Sequence, residues 1–300
     1  MQVTLASRRS PDATSNEDFV GATVSAVVVI DGASVPPGLG TGCIHGTAWF
    51  ARQLGTQLLA LLSTEADHSP ADSLAQAISH VAALHADTCD LGHPGSPSAT
   101  VAILREQPET VDYLVLGDTT LLLEEPAGIR VVTDDRLESV ASIQHGAMRQ
   151  HATGSADHDR SFAELVTEQR RHRNHPDGFW VASTDPTAAQ HALTDTAPRT
   201  GLHRAAVLSD GATRLVDRFS LLDWPGFLGH PGRAGTRGDH RPGPSGRSQR
   251  PGRATLAAWQ ATRRRLRRLL SPDLTSAGAW DDNPELTRGA DVAGAVILAK

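Results

Sequence analysis

The chain has 300 residues, a length that suits one large domain or two small ones. Hydrophobic residues make up 39% of the chain, which is enough for a core, and only 4% of residues are aromatic, so the core is predicted to be aliphatic. The net charge of −6 argues against a protein that binds nucleic acid along its whole length, and the lack of an apolar signal core or of an apolar run of about 18 residues argues against secretion and membrane spans. The two cysteines, Cys43 and Cys89, are too few for a disulfide framework or a cysteine-ligated zinc site, so a reducing cytoplasm is the expected compartment.

The first third of the chain reads as strands followed by two helices. Residues 26–30 are β-branched after the first position, which is typical of a buried strand, and they end on Asp31-Gly32. Apolar residues at helical spacing predict two amphipathic helices, and the second has a capping Ser69 before Pro70. The predicted elements are strands over 3–6, 19–24 and 26–30 and helices over 47–62 and 70–86.

Short strands dominate the middle of the chain, and the polar turns between them favour antiparallel pairing. A polar, histidine-rich stretch covers 134–161. The histidines over 145–175 match no standard ligand spacing, and this region is interpreted as a solvated, flap-like insert. The predicted elements are strands over 99–104, 113–116, 119–123, 129–132, 179–182, 205–208 and 295–298, and helices over 162–173 and 213–221.

Residues 226–255 differ in composition from the rest, because glycine, proline, arginine and serine replace the apolar pattern. With the basic helix that follows, residues 233–268 hold eleven arginines. Three interpretations remain open: a nucleic-acid-binding arm, a tolerated loop, or a sequence altered by a reading-frame change after about Pro225. We therefore divide the chain into a core domain over 1–225, this disordered or aberrant segment over 226–255, and a C-terminal helix and closing strand of the same domain over 256–300.

Acidic residues recur at the ends of the predicted strands. Each of them alone could be a solvated turn residue, but a set that converges on one sheet edge would need cations, and carboxylate oxygens suit Mg²⁺ or Mn²⁺. Two such ions can activate water and clamp a phosphoryl group. No G-x-S-x-G and no phosphate-binding P-loop motif occurs, so serine hydrolase and P-loop nucleotide chemistry are not expected. The residues are Glu17, Asp18, Asp31, Asp118, Asp210 and Asp291.

The order of six short motifs resembles the PPM family, the metal-dependent PP2C-type serine/threonine phosphatases, in a divergent bacterial form. The resemblance spans residues 1 to about 225. It implies an α+β fold, a four-layer α-β-β-α sandwich of two mostly antiparallel sheets, with two Mn²⁺ or Mg²⁺ ions, a possible third, and phosphorylated proteins as substrates. The motifs are Asn-Glu-Asp at 16–18, Val-Ile-Asp-Gly at 29–32, Ser-Pro-Ser-Ala-Thr-Val-Ala at 96–102, Leu-Gly-Asp at 116–118, Leu-Ser-Asp-Gly at 208–211 and the aspartate at 291.

The resemblance also implies roles for single residues. Asp31 would bridge both metals and Gly32 would lend its carbonyl oxygen. Asp210 and Asp291 would hold one metal from the other side. The remaining assignments are Glu17 or Asp18 around the metals, Asp118 at a third ion, His45 as general acid, and Arg8 or Arg9 as phosphate-binding residues.

The sequence departs from the family pattern at several of these positions. Ala13 stands where many members have the phosphate-binding arginine, and the context of Asp291 is unusual enough that Asp282 is a rival ligand. The leading interpretation is a cytoplasmic, monomeric phosphatase that uses a metal-activated bridging water. The alternative is a catalytically weak or silent PP2C-like module that binds phosphoproteins or a regulator. A nucleic-acid binder is a more distant third.

Overall fold

The computed structural model describes residues 1–9, 13–65, 67–151, 155–217, 220 and 222–229, and the backbone of 295–299. Strands in these residues form two antiparallel sheets of five strands each, numbered here in chain order. The first sheet has the order β1 (Gln2–Ala6), β10 (Ala295–Ala299), β9 (Arg204–Leu208), β6 (Thr120–Glu125), β7 (Gly128–Thr133). The second has the order β2 (Phe19–Ala22), β3 (Ala26–Gly32), β4 (Ala99–Glu106), β5 (Thr110–Leu116), β8 (Leu193–Pro198).

The helices are α1 (Thr47–Thr64), α2 (Pro70–His85), α3 (Arg136–Ser139), α4 (Ser142–Arg149), α5 (Ala156–His172), α6 (Asp210–Thr213) and α7 (Trp224–Phe227). Helices α1, α2, α6 and α7 flank the sheets, and α3, α4 and α5 follow β7. Ser69 begins α2 with a reciprocal capping box to Asp72, as its sequence predicts. No helix within the described ranges is both long enough and apolar enough to cross a membrane.

Strand β3 shows why the chain forms layers. Val27 and Val29 face the other sheet and pack with Leu121 and Val207 between the two sheets. The alternating positions, Val28 among them, face α1 and α2 on the outer side. Because successive side chains of a strand point to opposite faces, a strand buried on both faces needs the unbroken apolar run that this sequence has.

The outer face of the first sheet is covered by the segment that follows β9. Leu122 and Leu208 pack there against Ala212, Leu215 and Phe227, from α6, the residues after it, and α7. The order of layers is therefore α1 and α2, second sheet, first sheet, then α6 and α7. This arrangement confirms the predicted α-β-β-α sandwich.

Two predicted elements differ from the structure, and one strand of the structure was not predicted. Residues 179–182 form only isolated bridges, Ala99 with Ala182 and Arg173 with Phe179. Where a helix was predicted over 213–221, α6 ends at Thr213 and the next four residues, 214–217, form turns; residues 218, 219 and 221 lie outside the described residues. Strand β8 was not predicted because its Leu-Thr-Asp-Thr-Ala-Pro sequence is mostly polar and exposed at a sheet edge. The predicted basic helix, Asp282 and Asp291 lie outside the described residues.

Candidate metal centre at the sheet edge

Asp31 is positioned by the alternation of β3. It shares a face with Val27 and Val29, so its carboxylate lies at the end of the strand on the side of the other sheet. Its cross-strand partner is Thr100 of β4. Thr100 Oγ1 is buried and has no hydrogen-bond partner among the described residues.

Asp210 and Asp118 reach the same place from other strands. Asp210 follows β9, and its backbone N–H donates to Asp31 Oδ2 at 3.2 Å. Asp118 follows β5 after Gly117, whose φ of +80° favours glycine; an added Cβ there would also lie 2.5 Å from Thr100 Cγ2. All three aspartates line one cleft with a volume of about 350 Å³.

Glu17 and Asp18 enter the cleft because β2 pairs with β3. A Cβ added at Gly32 would lie 2.3 Å from the carbonyl oxygen of Glu17, so glycine is what allows this approach. The Glu17 carboxylate accepts a hydrogen bond from Ser34 Oγ at 2.5 Å. The Asp18 side chain is hydrogen-bonded to the carboxyl group of Asp31.

The electrostatics of the cleft show excess negative charge. Burial, followed by repulsion from the carboxylates of Asp210, Asp18 and Asp118, raises the pKa of Asp31 well above its usual value. Burial and the charge of Asp210 raise the pKa of Asp118 to about 7. Both groups are therefore held in positions where ionisation is costly unless a cation is present.

These residues fit hard divalent cations. The side chains that meet at the cleft floor offer carboxylate oxygens, the ligands that Mg²⁺ and Mn²⁺ prefer, and the orphaned hydroxyl of Thr100 lies beside them. Arg214 pairs with Asp210 at 3.2 Å, which compensates part of the charge of that one carboxylate. Bound cations would relieve the repulsion between these carboxylates that raises the pKa of Asp31.

The predicted site residues divide into those the cleft brings together and those it does not. Asp291 lies outside the described residues. Arg8 and Arg9 are exposed and do not line the cleft, and Arg9 Nη1 instead donates to the carbonyl oxygen of Ala13. This placement does not support their predicted phosphate-binding role. The predicted residues in the cleft are Glu17, Asp18, Asp31, Gly32, Asp118 and Asp210.

Two arginines from the insert line the cleft instead. Arg173 donates to the carbonyl oxygens of Pro94 and Ser96 and to Ser98 Oγ, and burial lowers its pKa to about 10, so it stays charged at neutral pH. Arg170 lies one helical turn earlier on α5. Sequence reasoning missed them, although Phe162, Val166, Arg170 and Arg173 recur at the three- and four-residue spacing of one helix face.

His45 lies apart from the cleft lining. Its ring stacks on Trp49 with centroids 4.3 Å apart, and its Nδ1 is 3.4 Å from Cys89 Sγ. This placement does not support the predicted general-acid role. The expectation of no cysteine-ligated metal site counted cysteines alone, and the structure brings Cys43 and Cys89 together with two histidines.

The raised pKa values predict how the metal-free protein responds to pH. The unfolded chain releases these protons near pH 4, whereas folded Asp118 retains its proton up to about pH 7, so the folded state binds more protons in between. This contribution to the free energy of unfolding is therefore lost as pH rises through 7. With a chelator present, we expect the melting temperature to fall by a few degrees between pH 5 and pH 8, and Mn²⁺ to raise it more at pH 8 than at pH 5.

The matched variant for this experiment is Asp118→Asn, which keeps the shape of the side chain and removes the titrating proton. Its metal-free melting temperature should depend less on pH than that of the unaltered chain over the same range. An equally steep dependence in both proteins would show that Asp118 does not retain its proton in the folded state.

No protein-family model and no curated protein matches the sequence. Among solved structures, the fold is similar to a bacterial serine phosphatase, with a TM-score of 0.51, 12% identity, and coverage of 100% of this chain and 97% of that one. It is also similar to PppA of Pseudomonas aeruginosa, described as a key regulatory component of T6SS. The TM-score is 0.50 at 14% identity, with coverage of 100% of this chain and 97% of that one. A third similar structure is the serine/threonine phosphatase Stp1 of Staphylococcus aureus, with a TM-score of 0.50, 12% identity, and coverage of 99% of this chain and 94% of that one. At these identities the likeness establishes the fold.

Proposed function

We propose that this chain is a divergent PP2C-type phosphatase that hydrolyses phosphomonoesters, with phosphoserine and phosphothreonine side chains of proteins as its substrates. The observation that carries the proposal is the meeting of Asp31, Asp118 and Asp210, from three strand ends, in one cleft. The shared fold with bacterial serine phosphatases supports it. We also propose that the protein acts in the cytoplasm as a monomer.

The residues proposed to hold two Mn²⁺ or Mg²⁺ ions are Asp31, Asp210, the carbonyl group of Gly32, and Glu17 or Asp18. Asp291 is proposed as a further ligand and Asp118 as the ligand of a third ion. When bound, such ions supply a water nucleophile at neutral pH and neutralise charge on the phosphoryl oxygens. The chain's contribution is to hold these carboxylates together against their mutual repulsion, which the packing of β3 between β2 and β4 provides.

One wall of the cleft is suited to the substrate. Phe162 and Val166 of α5, with Phe179 and Val181, form an apolar surface beside the acidic floor. Such a surface can pack on the carbon skeleton of a phosphorylated side chain and exclude water. Arg170 and Arg173 on the same wall place fixed positive charge within reach of a dianionic phosphate group.

Replacement of Arg170 by glutamine should weaken substrate binding more than the chemical step. Arg173 is held by three acceptors, whereas Arg170 makes one recorded hydrogen bond, to the carbonyl oxygen of Gly40 at 3.0 Å. Arg170 is therefore better able to turn a donor toward phosphate. We expect KM for a phosphothreonine peptide to rise by about 5- to 20-fold with kcat changed less than about threefold.

The control for Arg170→Gln is Arg171→Gln on the next position of α5. Arg171 is exposed, pairs with Glu168 at 2.7 Å and does not line the cleft, so its kinetics should match those of the unaltered chain. Equal KM values for both variants would show that Arg170 does not contribute to substrate binding.

The function itself is tested by hydrolysis of an aryl phosphate and of a phosphothreonine peptide with Mn²⁺ present. The proposal expects turnover of both that stops when a chelator removes the ion. Turnover that persists in the chelator would overturn the metal-dependent mechanism. Binding of the phosphopeptide without turnover would favour the silent phosphoprotein-binding module instead.

A further inference from the structure

A second group of metal-ligating side chains lies outside the acidic cleft. Cys43 and His45 belong to the loop before α1, His85 is the last residue of α2, and Cys89 follows it. The hairpin of α1 and α2 brings the two pairs together. One ligand atom from each of the four residues lies within 4.8 Å of every other.

Four of the six distances between these atoms lie within about 0.5 Å of the edges of a tetrahedron around one ion, and the other two are at most 4.8 Å. Cys43 Sγ is 3.3 Å from Cys89 Sγ, 3.7 Å from His45 Nδ1 and 3.6 Å from His85 Nδ1. Cys89 Sγ is 3.4 Å from His45 Nδ1. A tetrahedral Zn²⁺ with ordinary bond lengths needs about 3.8 Å between two sulfurs and about 3.6 Å between sulfur and nitrogen. Shifts of up to about 0.5 Å would bring these four distances to the tetrahedral values.

The burial of His85 makes this cluster costly without a ligand. His85 is only 2% exposed, and its Nδ1 lies 3.6 Å from the thiol sulfur of Cys43. Trp49 covers the group, with its ring stacked on His45 and 5.1 Å from the ring of His85. A buried imidazole that meets mainly weak thiol partners calls for an explanation, and a bound cation provides one.

The backbone around the sulfurs is arranged as a support for thiolates. The N–H of His45 donates to Cys43 Sγ at 3.4 Å, and the backbone of Ile44 is hydrogen-bonded to Cys89. The Asp90 N–H donates to the Gly42 carbonyl oxygen at 2.8 Å, which ties the two ligand-bearing segments together next to the sulfurs. Such hydrogen bonds orient metal ligands and stabilise negative charge on them.

We propose that Cys43, His45, His85 and Cys89 bind one structural Zn²⁺ ion. Thiolate and imidazole ligands select Zn²⁺ over the harder Mn²⁺ and Mg²⁺, and binding releases the two thiol protons. Four protein ligands close the coordination sphere, which is typical of a structural rather than a catalytic ion. The ion ties the glycine- and proline-rich loop 33–46, which leads from Gly32 to α1, to the end of α2. The inference is independent of the phosphatase proposal.

The test measures metal content and coordination in the full chain. Protein purified without added metal and dialysed should contain about one Zn²⁺ per chain. Replacement of that ion by Co²⁺ should produce the visible absorption bands of tetrahedral cobalt with sulfur-to-metal charge transfer. The zinc content of the Cys89→Ser variant should be at least about tenfold lower than that of the unaltered chain. The His80→Ala variant, changed on the exposed face of α2, should retain its zinc.

Other outcomes would overturn the proposal. In one outcome, the protein is chelated and denatured without a reductant, and its two cysteines still do not react with an alkylating reagent. That result would show a disulfide between Cys43 and Cys89. Freely reactive thiols with no bound zinc would show an empty cluster. If Cys89→Ser does not fold, the cobalt spectrum of the unaltered chain still decides between these cases. An Asp31→Asn chain must keep its zinc, because Asp31 belongs to the other site.

Discussion

Replacement of Asp31 by asparagine is expected to lower kcat/KM for Mn²⁺-dependent hydrolysis of an aryl phosphate by at least about 10³-fold. Asp31 is the carboxylate on which the others converge, because it contacts the side chain of Asp18 and the backbone of Asp210. Loss of its charge removes the ligand proposed to be shared by both ions. Initial rates at increasing Mn²⁺ concentration measure the effect.

Two controls separate this loss from misfolding. Asp67→Asn changes an exposed residue in the turn after α1, at the far end of a helix about 27 Å long, and should leave the rate unchanged. The metal-free Asp31→Asn chain should melt no lower than the unaltered chain, since the substitution removes a carboxyl group with a raised pKa. An Asp31→Asn variant with more than about a tenth of the original activity would show that this residue is not a metal ligand.

Replacement of Gly32 by alanine should damage both the fold and the cleft. The new Cβ would lie 2.3 Å from the carbonyl oxygen of Glu17 and 2.6 Å from Thr47 Cγ2. A backbone atom cannot rotate away, so the segment bearing Glu17 and Asp18 must move. We expect a loss of about 1–3 kcal/mol in the free energy of unfolding and a Mn²⁺ affinity weakened by about tenfold or more, measured by denaturant titration and by calorimetry.

The matched control for this variant is Gly40→Ala in the loop that follows Gly32. A Cβ at that position would meet its nearest neighbour, the ring of His93, at 3.8 Å, which is an ordinary contact. Gly40→Ala should therefore retain both stability and Mn²⁺ affinity. If Gly32→Ala behaves in the same way, the close approach of Glu17 to β3 does not determine the geometry of the cleft.

The strands and the acidic cleft could be predicted because both depend on local patterns, whereas the four-layer sandwich was expected from the family resemblance. The apolar run of β3 marks a strand buried on both faces, and the aspartates directly after strands reach a sheet edge without knowledge of distant contacts. Asp31, Asp118 and Asp210 were therefore found from strand ends alone. Strand β8 was missed because an exposed edge strand needs no apolar pattern.

The Cys/His cluster could not be recognised from spacing. Cys43 and Cys89 lie 46 positions apart, and the pair Cys43/His45 meets the pair His85/Cys89 only after α1 and α2 pack as a hairpin on the second sheet. The wall of α5 was missed for a related reason, because a charged amphipathic helix in a polar insert looks like a solvated element until its neighbours are known. Both features depend on tertiary packing.

The central claim is that the carboxylates at the sheet edge bind hard divalent ions. Crystals grown with Mn²⁺ at pH 8, with anomalous diffraction measured at the manganese edge, test it most directly. The account predicts anomalous density between the side chains of Asp31 and Asp210, and no such density in crystals of the Asp31→Asn variant. A map of the unaltered chain without density between those two carboxylates, at saturating Mn²⁺, would contradict it.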